Sequence, residues 1–225
     1  MGKLKPVKKR NPKRRSNNKA RHNTDTVNLK LIQTNVDGYT SKKESICEIA
    51  NEEKPDIHTV NDTALKGNMK IKIPKYFCYS KNRDKNKGGV ATVVADYLNP
   101  NTSKVTEGRE RDEYIITRID ITEPAINIVN IYGSQEGRTD KDEIEKSWLR
   151  LMEDVKQIEE RNEDVLIIGD LNRAVGSGPL GIKGNKEKVA QGGQLIRNLI
   201  ETDQYILINN LDVVQGGPWT GATSR

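Results

Sequence analysis

The 225-residue sequence is poor in cysteine and has no long hydrophobic run. Its two cysteines, Cys47 and Cys78, are too few for a disulfide scaffold and are typical of a reducing compartment. No apolar run approaches the roughly 20 residues of a membrane-spanning helix. The basic N-terminus is not followed by an apolar stretch, which excludes a secretory signal. These absences predict an intracellular protein that does not enter a membrane.

Histidine is equally scarce, with only His22 and His58 in the chain. Neither stands near a nucleophile motif, which argues against Ser–His–Asp and Cys–His mechanisms. We interpret His58, inside a predicted strand, as a packed side chain rather than a catalyst. Two cysteines and two histidines without a cluster also argue against zinc. Any hydrolysis must therefore rely on carboxylates and a hard metal ion.

The charge of the chain is divided between two unlike parts. The formal net charge is +6, but residues 1–22 hold ten basic side chains and no carboxylate. The rest of the chain keeps 28 basic and 32 acidic residues, a formal charge of −4. The composition therefore predicts a basic, disordered tail over residues 1–26 and one folded domain over residues 27–225.

Two basic clusters in the tail are its candidate nucleic-acid-binding residues: Lys8, Lys9 and Arg10, then Lys13, Arg14 and Arg15. Such clusters serve as nuclear-import signals or as contacts to a phosphate backbone. The tail has no aromatic side chain for base stacking, so we expect non-specific, salt-sensitive binding and a nuclear location. The alternative is a solvated arm with no specific role.

Hydrophobic periodicity predicts more strands than helices. The predicted strands are Val27–Thr34, Asp56–Asn61, Tyr76–Ser80, Val90–Ala95, Tyr114–Ile121, Ala125–Ile131, Val165–Ile168 and Tyr205–Ile208. A capping-box pattern at Ser41–Glu44 predicts one helix, apolar spacing from Thr139 to Ile158 a long second one, and Val189–Ile200 a third. This order favours a mixed α/β body with two sheets and outer helices.

Polar residues that follow predicted strands are the candidates for chemistry. Asp62, Asp170 and Asn172 come just after buried strands, and Asn35 ends the first strand. Groups at the carboxyl ends of strands point into the crevice where α/β proteins bind ligands. Asp and Asn oxygens suit Mg²⁺, which takes one or two carboxylates plus waters and phosphate oxygens. The alternative is that these residues only begin turns, which Asp and Asn commonly do.

Six motifs in order carry a resemblance to a known family. They are Gln33–Gly38, Lys54–Ile57, Asn61–Thr63, Gly88–Ala91, Asn130–Gly133 and Gly169–Asn172. The chain resembles the endonuclease/exonuclease/phosphatase superfamily over residues 28–220. In detail it looks like the apurinic-type endonuclease domain of non-LTR retrotransposons. The resemblance implies an α/β fold, a four-layer sandwich of two mixed β-sheets flanked by helices.

The resemblance also implies roles for five residues. Asn35 and Asp62 would hold Mg²⁺, with Mn²⁺ as a substitute. Tyr132 would hydrogen-bond the scissile phosphate or the leaving oxygen. Asp170 would orient or deprotonate the attacking water, and Asn172 would position both Asp170 and the phosphate. The implied reaction is in-line hydrolysis of a phosphodiester, with DNA as the substrate.

Two departures from the family pattern qualify this expectation. The family has Glu where this chain has Asp62, which is one methylene shorter, and misplacement by ~1 Å can reduce a rate on the order of a hundredfold. The late Ser-x-x-Asp and Ser-Asp-His motifs do not follow Trp219, so we expect a fold that is incomplete at the C-terminus. We therefore expect weak or no nuclease activity from this chain alone.

Two functions stay open from the sequence. The first is a Mg²⁺-dependent DNA endonuclease of the retrotransposon type, with a reverse transcriptase domain downstream in a parent polyprotein. The second is a non-catalytic nucleic-acid-binding or interaction protein derived from a mobile-element fragment.

Overall fold

The computed structural model describes residues 28–83, 88–98, 105–108, 112–121, 123–133, 140–172, 191–201 and residue 205. Its strands are β1 Leu31–Asn35, β2 Ile57–Asn61, β3 Tyr76–Lys81, β4 Val90–Ala95, β5 Val105–Glu107, β6 Tyr114–Ile119, β7 Ile126–Tyr132 and β8 Asp164–Asp170. Its helices are α1 Tyr39–Glu52, α2 Lys141–Glu159 and α3 Gln191–Glu201, and a short 3₁₀ turn covers Asp96–Leu98. The basic tail lies outside the described residues, so the predicted domain boundary stays a prediction.

The strands form two mixed sheets of four strands each. Sheet I has the order β1-β2-β4-β3, and sheet II has the order β5-β6-β7-β8. In sheet I, β1 is parallel to β2, and the remaining neighbours are antiparallel. In sheet II, β8 is parallel to β7, and the remaining neighbours are antiparallel. Each sheet thus carries one parallel pair at its edge.

The buried side chains fall into layers. Helix α1 packs Ile46 and Ala50 against Val60 and Val93 on the outer face of sheet I. Helix α2 packs its buried residues against the outer face of sheet II, in a cluster of Leu151, Val155, Ile158, Val129 and Ile131. Between the sheets, residues of sheet I meet residues of sheet II in a cluster that includes Ile57, Val94, Ile119 and Ile128. The predicted α/β sandwich of two mixed sheets flanked by helices is therefore confirmed.

The start of α1 differs from the capping-box prediction. The helix begins at Tyr39, and Ser41 lies in its first turn, where its hydroxyl donates to the Gly38 carbonyl at 3.0 Å. Gly38 precedes the helix with φ 104°, and its N–H donates to the Asp62 carbonyl at 2.8 Å. A tertiary contact to the end of β2 therefore sets the helix start in place of a side-chain cap.

Other boundaries shift for local reasons. The α2 helix begins at Lys141 because Asp140 caps it, accepting a hydrogen bond from the Asp142 N–H at 2.8 Å. Strand β5 was not predicted, since three residues are too short for a periodic pattern. Of the predicted strand Tyr205–Ile208, only Tyr205 is described, and it lies in no element. Among the described helices, none is long and apolar enough to cross a membrane.

Candidate active site between the two sheets

The two parallel strand pairs end on the same side of the molecule. Asn35 at the end of β1 pairs with Asn61 at the end of β2, and Tyr132 at the end of β7 pairs with Asp170 at the end of β8. The Asn35 amide donates to Oδ2 of Asp170 at 2.8 Å, which joins the strand ends across the two sheets. The carboxyl ends of the four strands therefore meet where α/β proteins bind ligands.

Asp62, the first residue after β2, is only 6% exposed. Its φ of 54° is left-handed, a conformation that Asp adopts more readily than most residues. Its Oδ1 accepts a hydrogen bond from the Gly88 N–H at 2.5 Å, and its carbonyl accepts from the Gly38 N–H at 2.8 Å. Side chain and main chain are both anchored, so the negative charge of Asp62 has a fixed position.

Tyr132 lies between the two predicted carboxylates. Burial, followed by the charge of Asp62, raises the pKa of the Tyr132 hydroxyl to about 12. The hydroxyl donates to the Asp62 side chain, and its oxygen accepts from the Asn172 amide. Tyr132 therefore stays protonated at neutral pH and can act as a neutral hydrogen-bond donor.

Asp170 is oriented through both of its carboxylate oxygens. Oδ2 accepts from the Asn35 amide at 2.8 Å, and Oδ1 accepts from the Asn172 N–H at 3.0 Å. The Asn172 amide donates in turn to the Gly133 carbonyl at 2.9 Å. Unlike Asp62, Asp170 is only partly buried, which leaves it access to water. Such an oriented, accessible carboxylate suits a general base.

Two glycines allow β7 and β8 to approach at the site. A Cβ on Gly169 would overlap the Ile131 carbonyl oxygen, and φ of Gly169 is 139°. A Cβ on Gly133 would overlap the Leu171 carbonyl. The Gly133 N–H donates to the Asp170 carbonyl at 2.7 Å, so the close approach also closes a main-chain hydrogen bond. The Gly-Asp-Leu-Asn motif therefore has a steric reason for its glycine.

Buried amides link the two sheets behind the site. The Asn61 amide donates to Oδ1 of Asn130 at 2.9 Å and to the Ile131 carbonyl at 3.0 Å. Asn130 donates to the Ala91 carbonyl at 2.8 Å, and Gln33 donates to Oδ1 of Asn61 at 2.9 Å. Because Asn61 directly precedes Asp62 and Asn130 is two residues before Tyr132, the network sets the spacing of Asp62 and Tyr132.

Glu113 is a site residue that the sequence reasoning missed. It is 8% exposed, its Oε2 accepts from the Gly89 N–H at 3.0 Å, and it forms an ion pair with Arg83. Burial raises the pKa of its carboxyl, and the charge of Asp62 acts in the same direction. The consecutive N–H groups of Gly88 and Gly89 thus hold Asp62 and Glu113 side by side. In the sequence Glu113 ends a run of charged residues before β6, a pattern that is typical of a solvent-exposed loop.

The donor set of the site suits Mg²⁺ better than a softer metal. Among the described residues, no group of three or more His, Cys, Asp or Glu side chains could hold a metal. Mg²⁺ needs only one or two carboxylates, with waters and substrate oxygens completing its shell. Asp62 together with the amide oxygen of Asn35 would supply hard oxygen ligands of this kind. These donor types are compatible with Mg²⁺, and its binding by Asp62 and Asn35 stays a prediction.

The structure thus brings the predicted residues Asn35, Tyr132, Asp170 and Asn172 together, with Asp62 beside Tyr132. Their catalytic roles stay predictions. His58 lies apart from them, fully buried in β2, with Nε2 at 2.9 Å from the Thr34 hydroxyl. The six basic residues predicted to bind nucleic acid lie in the tail, outside the described residues.

Comparison with known proteins identifies the fold. No family model and no curated protein matches the sequence. Among solved structures, the 3' phosphatase NExo from Neisseria bound to a DNA hairpin has a TM-score of 0.58 at 17% identity, over 77% of this chain and 71% of that one. An AP endonuclease from Archaeoglobus fulgidus has a TM-score of 0.56 at 20% identity, over 78% and 71%.

The endonuclease domain of TRAS1, a telomere-specific non-LTR retrotransposon, has a TM-score of 0.52 at 17% identity, over 77% of this chain and 71% of that domain. The chain therefore shares the fold of these three proteins, and this agrees with the fold that its resemblance implied.

Proposed function

We propose that this chain hydrolyses phosphodiester bonds in DNA with Mg²⁺, as an endonuclease of the retrotransposon type. The observation that carries the proposal is the hydrogen-bonded set Asn35–Asp170–Asn172, which lies beside Tyr132 and Asp62 at one edge of the sandwich. The solved structures of the same fold support it, since they include an AP endonuclease and a retrotransposon endonuclease domain.

Asp170 is the group that activates water in this mechanism. Asn35 and the Asn172 N–H hold its two oxygens, so the carboxylate can accept a proton from a water aligned with the phosphorus. As the water oxygen bonds to phosphorus, the P–O bond on the opposite side breaks. The water proton passes to Asp170, and the leaving oxygen departs with the bonding electron pair.

Tyr132 and Asn172 stabilise the charge that builds up on the phosphate. Tyr132 is protonated, and its hydroxyl can turn from Asp62 to a phosphate or leaving oxygen. Asn172 contributes an amide donor next to it. Mg²⁺, held by Asp62 and Asn35, would supply positive charge to the same oxygens.

The alternative is a non-catalytic nucleic-acid-binding protein. The observation that favours it is Asp62, which stands where the superfamily pattern has Glu. Because the shorter carboxylate is already tied to the Gly88 N–H, we expect slow hydrolysis rather than none.

A plasmid-nicking assay with Mg²⁺ tests the function. We expect slow nicking that requires the metal and that falls by about 10²–10⁴-fold in Asp170→Asn, since general base catalysis is removed. Asp164→Asn is the matched control, because Asp164 is exposed at the opposite end of β8. Absent nicking would favour the non-catalytic alternative, and nicking that survives Asp170→Asn would exclude Asp170 as the general base.

The tail extends the proposal to location and binding. Its basic clusters, with no carboxylate among residues 1–22, support a nuclear location and non-specific contact with a phosphate backbone. Deleting residues 1–22 should reduce the salt dependence of DNA binding and the nuclear accumulation of a fluorescent fusion. An unchanged salt slope would leave the tail as a solvated arm.

A further inference from the structure

One stretch of the folded body has a charge unlike the rest of it. Residues 63–83 contain six basic side chains and no acidic one. Residues 140–164, which include α2, contain five basic and ten acidic side chains. The body as a whole carries −4, so this run of six basic side chains, in the part of the chain that forms sheet I, stands out from it.

The basic stretch begins directly after Asp62, and its buried side chains hold it firmly in place. Leu65, Ile71 and Ile73 are buried in the cluster between sheet I and α1. The Met69 N–H donates to the Lys66 carbonyl at 3.1 Å, which closes a turn. The exposed lysines between these anchors are therefore presented on a fixed backbone.

The strand registers place the turn at residues 66–69 next to the site. The Asn82 amide donates to the carbonyls of Gly67 and Met69, both at 2.7 Å. Asn82 follows Lys81, which pairs with Val90, and Val90 pairs in turn with Asn61. The turn therefore lies at the end of sheet I where Asp62 emerges.

Lys75 belongs to the opposite end of the same sheet. Its carbonyl accepts from the Asp96 N–H at 2.9 Å, and the following Tyr76 pairs with Ala95. Lys66 therefore lies in the turn beside the site, and the exposed lysines Lys70 and Lys72 follow it on the connection that leads from this turn toward Lys75. We call Lys66, Lys70 and Lys72 the basic ridge.

We propose that the basic ridge binds phosphates of duplex DNA that flank the scissile bond on the Asp62 side, an inference that rests on the proposed nuclease function. The site itself presents the carboxylates of Asp62, Glu113 and Asp170, which repel a polyanion. A row of lysines on a rigid connection compensates this repulsion and gains the free energy of counterion release. The ridge sets where along the duplex the protein binds, while Tyr132 and Asp170 act on one phosphate.

The test compares two triple variants of the full chain that lose the same charge. One removes the ridge (Lys66→Ala, Lys70→Ala and Lys72→Ala), and the control removes three exposed lysines of α2 (Lys141→Ala, Lys146→Ala and Lys156→Ala). Binding to a fluorescent DNA duplex is measured by anisotropy in EDTA, which prevents cleavage, over a range of salt concentrations. Thermal unfolding checks that both variants fold.

We expect the ridge variant to lose roughly 2–3 units of slope in log K against log salt, at about 0.9 per phosphate contact, and at least about tenfold in affinity. The control should bind like the wild type. The tail is present in every protein, so its contribution cancels. Equal losses in both variants, no loss in the ridge variant, or tighter binding to single-stranded RNA than to the duplex would overturn the proposal.

Failure of the ridge and failure of the proposed function give different results. If the wild type nicks DNA and the ridge variant binds DNA like the wild type, the ridge proposal is wrong and the nuclease proposal stands. If binding depends on the ridge but no nicking depends on Asp170, the DNA-binding surface is supported and the proposed catalytic function is wrong. A wild type that binds no duplex and nicks none would overturn both.

Discussion

Asp62 follows β2 and Asp170 ends β8, so each lies at the carboxyl end of a strand in a parallel pair, yet their surroundings differ. Asp62 is buried and held by main-chain groups, next to the second carboxylate of Glu113. Asp170 is partly exposed and held by the Asn35 side chain and the Asn172 N–H. A rigid, buried charge is suited to hold a cation, whereas an accessible and oriented carboxylate is suited to take a proton from water.

Different residues support each half of the site. The sheet I half depends on the Gly88–Gly89 pair and on Glu113 with Arg83. The sheet II half depends on the close approach of β7 and β8 at Gly169. Changes to one support should therefore affect the two carboxylates unequally.

The largest effect should come from Gly169→Ala. Its Cβ would overlap the Ile131 carbonyl at a φ of 139°, so we expect a loss of about 4 kcal/mol or more in the free energy of unfolding. Gly67→Ala is the matched control, since its φ of 50° is also positive but nothing lies within 4 Å of the added Cβ. Its loss should be about 1 kcal/mol. Urea unfolding measures both, and equal losses would mean that the approach of β7 and β8 is not constrained.

The second-largest effect concerns the loss of stability in acid. As the pH falls, the contribution of sheet I to the free energy of unfolding should be lost before that of sheet II. Burial lowers the pKa of His58 to about 4, so between pH 6.5 and 4 the unfolded chain binds a proton that the folded chain does not. Stability should therefore fall by about 3 kcal/mol as the pH drops from 7 to 4. Glu163, directly before β8 of sheet II, behaves differently. Hydrogen bonds from Arg161, Asn127 and Arg118 lower its pKa to about 2, against the effect of burial. Its contribution to the free energy of unfolding is therefore lost only in stronger acid.

Urea unfolding of His58→Gln at pH 7 and pH 4 checks this. The variant should lose most of the difference between the two pH values, whereas His22→Gln in the tail should keep it. A pH dependence that survives His58→Gln would assign the acid sensitivity to other groups.

Lengthening Asp62 tests whether its half of the site limits the rate. Asp62→Glu restores the residue of the superfamily pattern. If the carboxylate of Asp62 lies about 1 Å from its best position in the wild type, the variant should nick DNA up to roughly a hundredfold faster. Asp56→Glu, the same change at the start of the strand region, should have no effect on the rate. An unchanged Asp62→Glu would show that the Gly88 contact already places the shorter side chain well.

The smallest effect should follow Glu113→Gln. Gln can still accept the Gly89 N–H, but the charge paired with Arg83 is lost, and support of this kind is typically worth about tenfold in metal affinity or rate. Binding of Mn²⁺, measured by calorimetry, should weaken together with nicking. Glu143→Gln, which alters the Arg150 pair away from the site, should change neither. Normal Mn²⁺ binding by Glu113→Gln would limit Glu113 to a structural role.

Much of the fold could be predicted because it depends on local patterns. The short, mostly apolar runs of β4, β6 and β7 identify buried strands wherever they occur. Asn35, Asp62 and Asp170 were found because strand ends are visible in the sequence and because the motifs around them resemble a family. The α1 start was missed because a tertiary hydrogen bond from Gly38 to the Asp62 carbonyl, rather than a side-chain cap, determines it.

Glu113 and the basic ridge could not be found in that way. Glu113 is 51 residues from Asp62 in the chain, and only the pairing of the strands and the glycine pair brings the two carboxylates together. The six basic residues of 63–83 are visible in the sequence, but their side of the molecule is not. The registers of β2, β3 and β4 separate Lys66 at the site from Lys75 at the far end.

The sequence by itself determined the class of the fold, the contrast between a basic tail and an acidic body, and the chemical types present at the site. Those properties follow from periodicity, composition and residue identity, which are local. Only the tertiary structure decided which carboxylate is buried and which meets water. Burial depends on residues distant in the chain, such as Gly88 beside Asp62 and Asn35 beside Asp170, and their positions follow from how the two sheets pack.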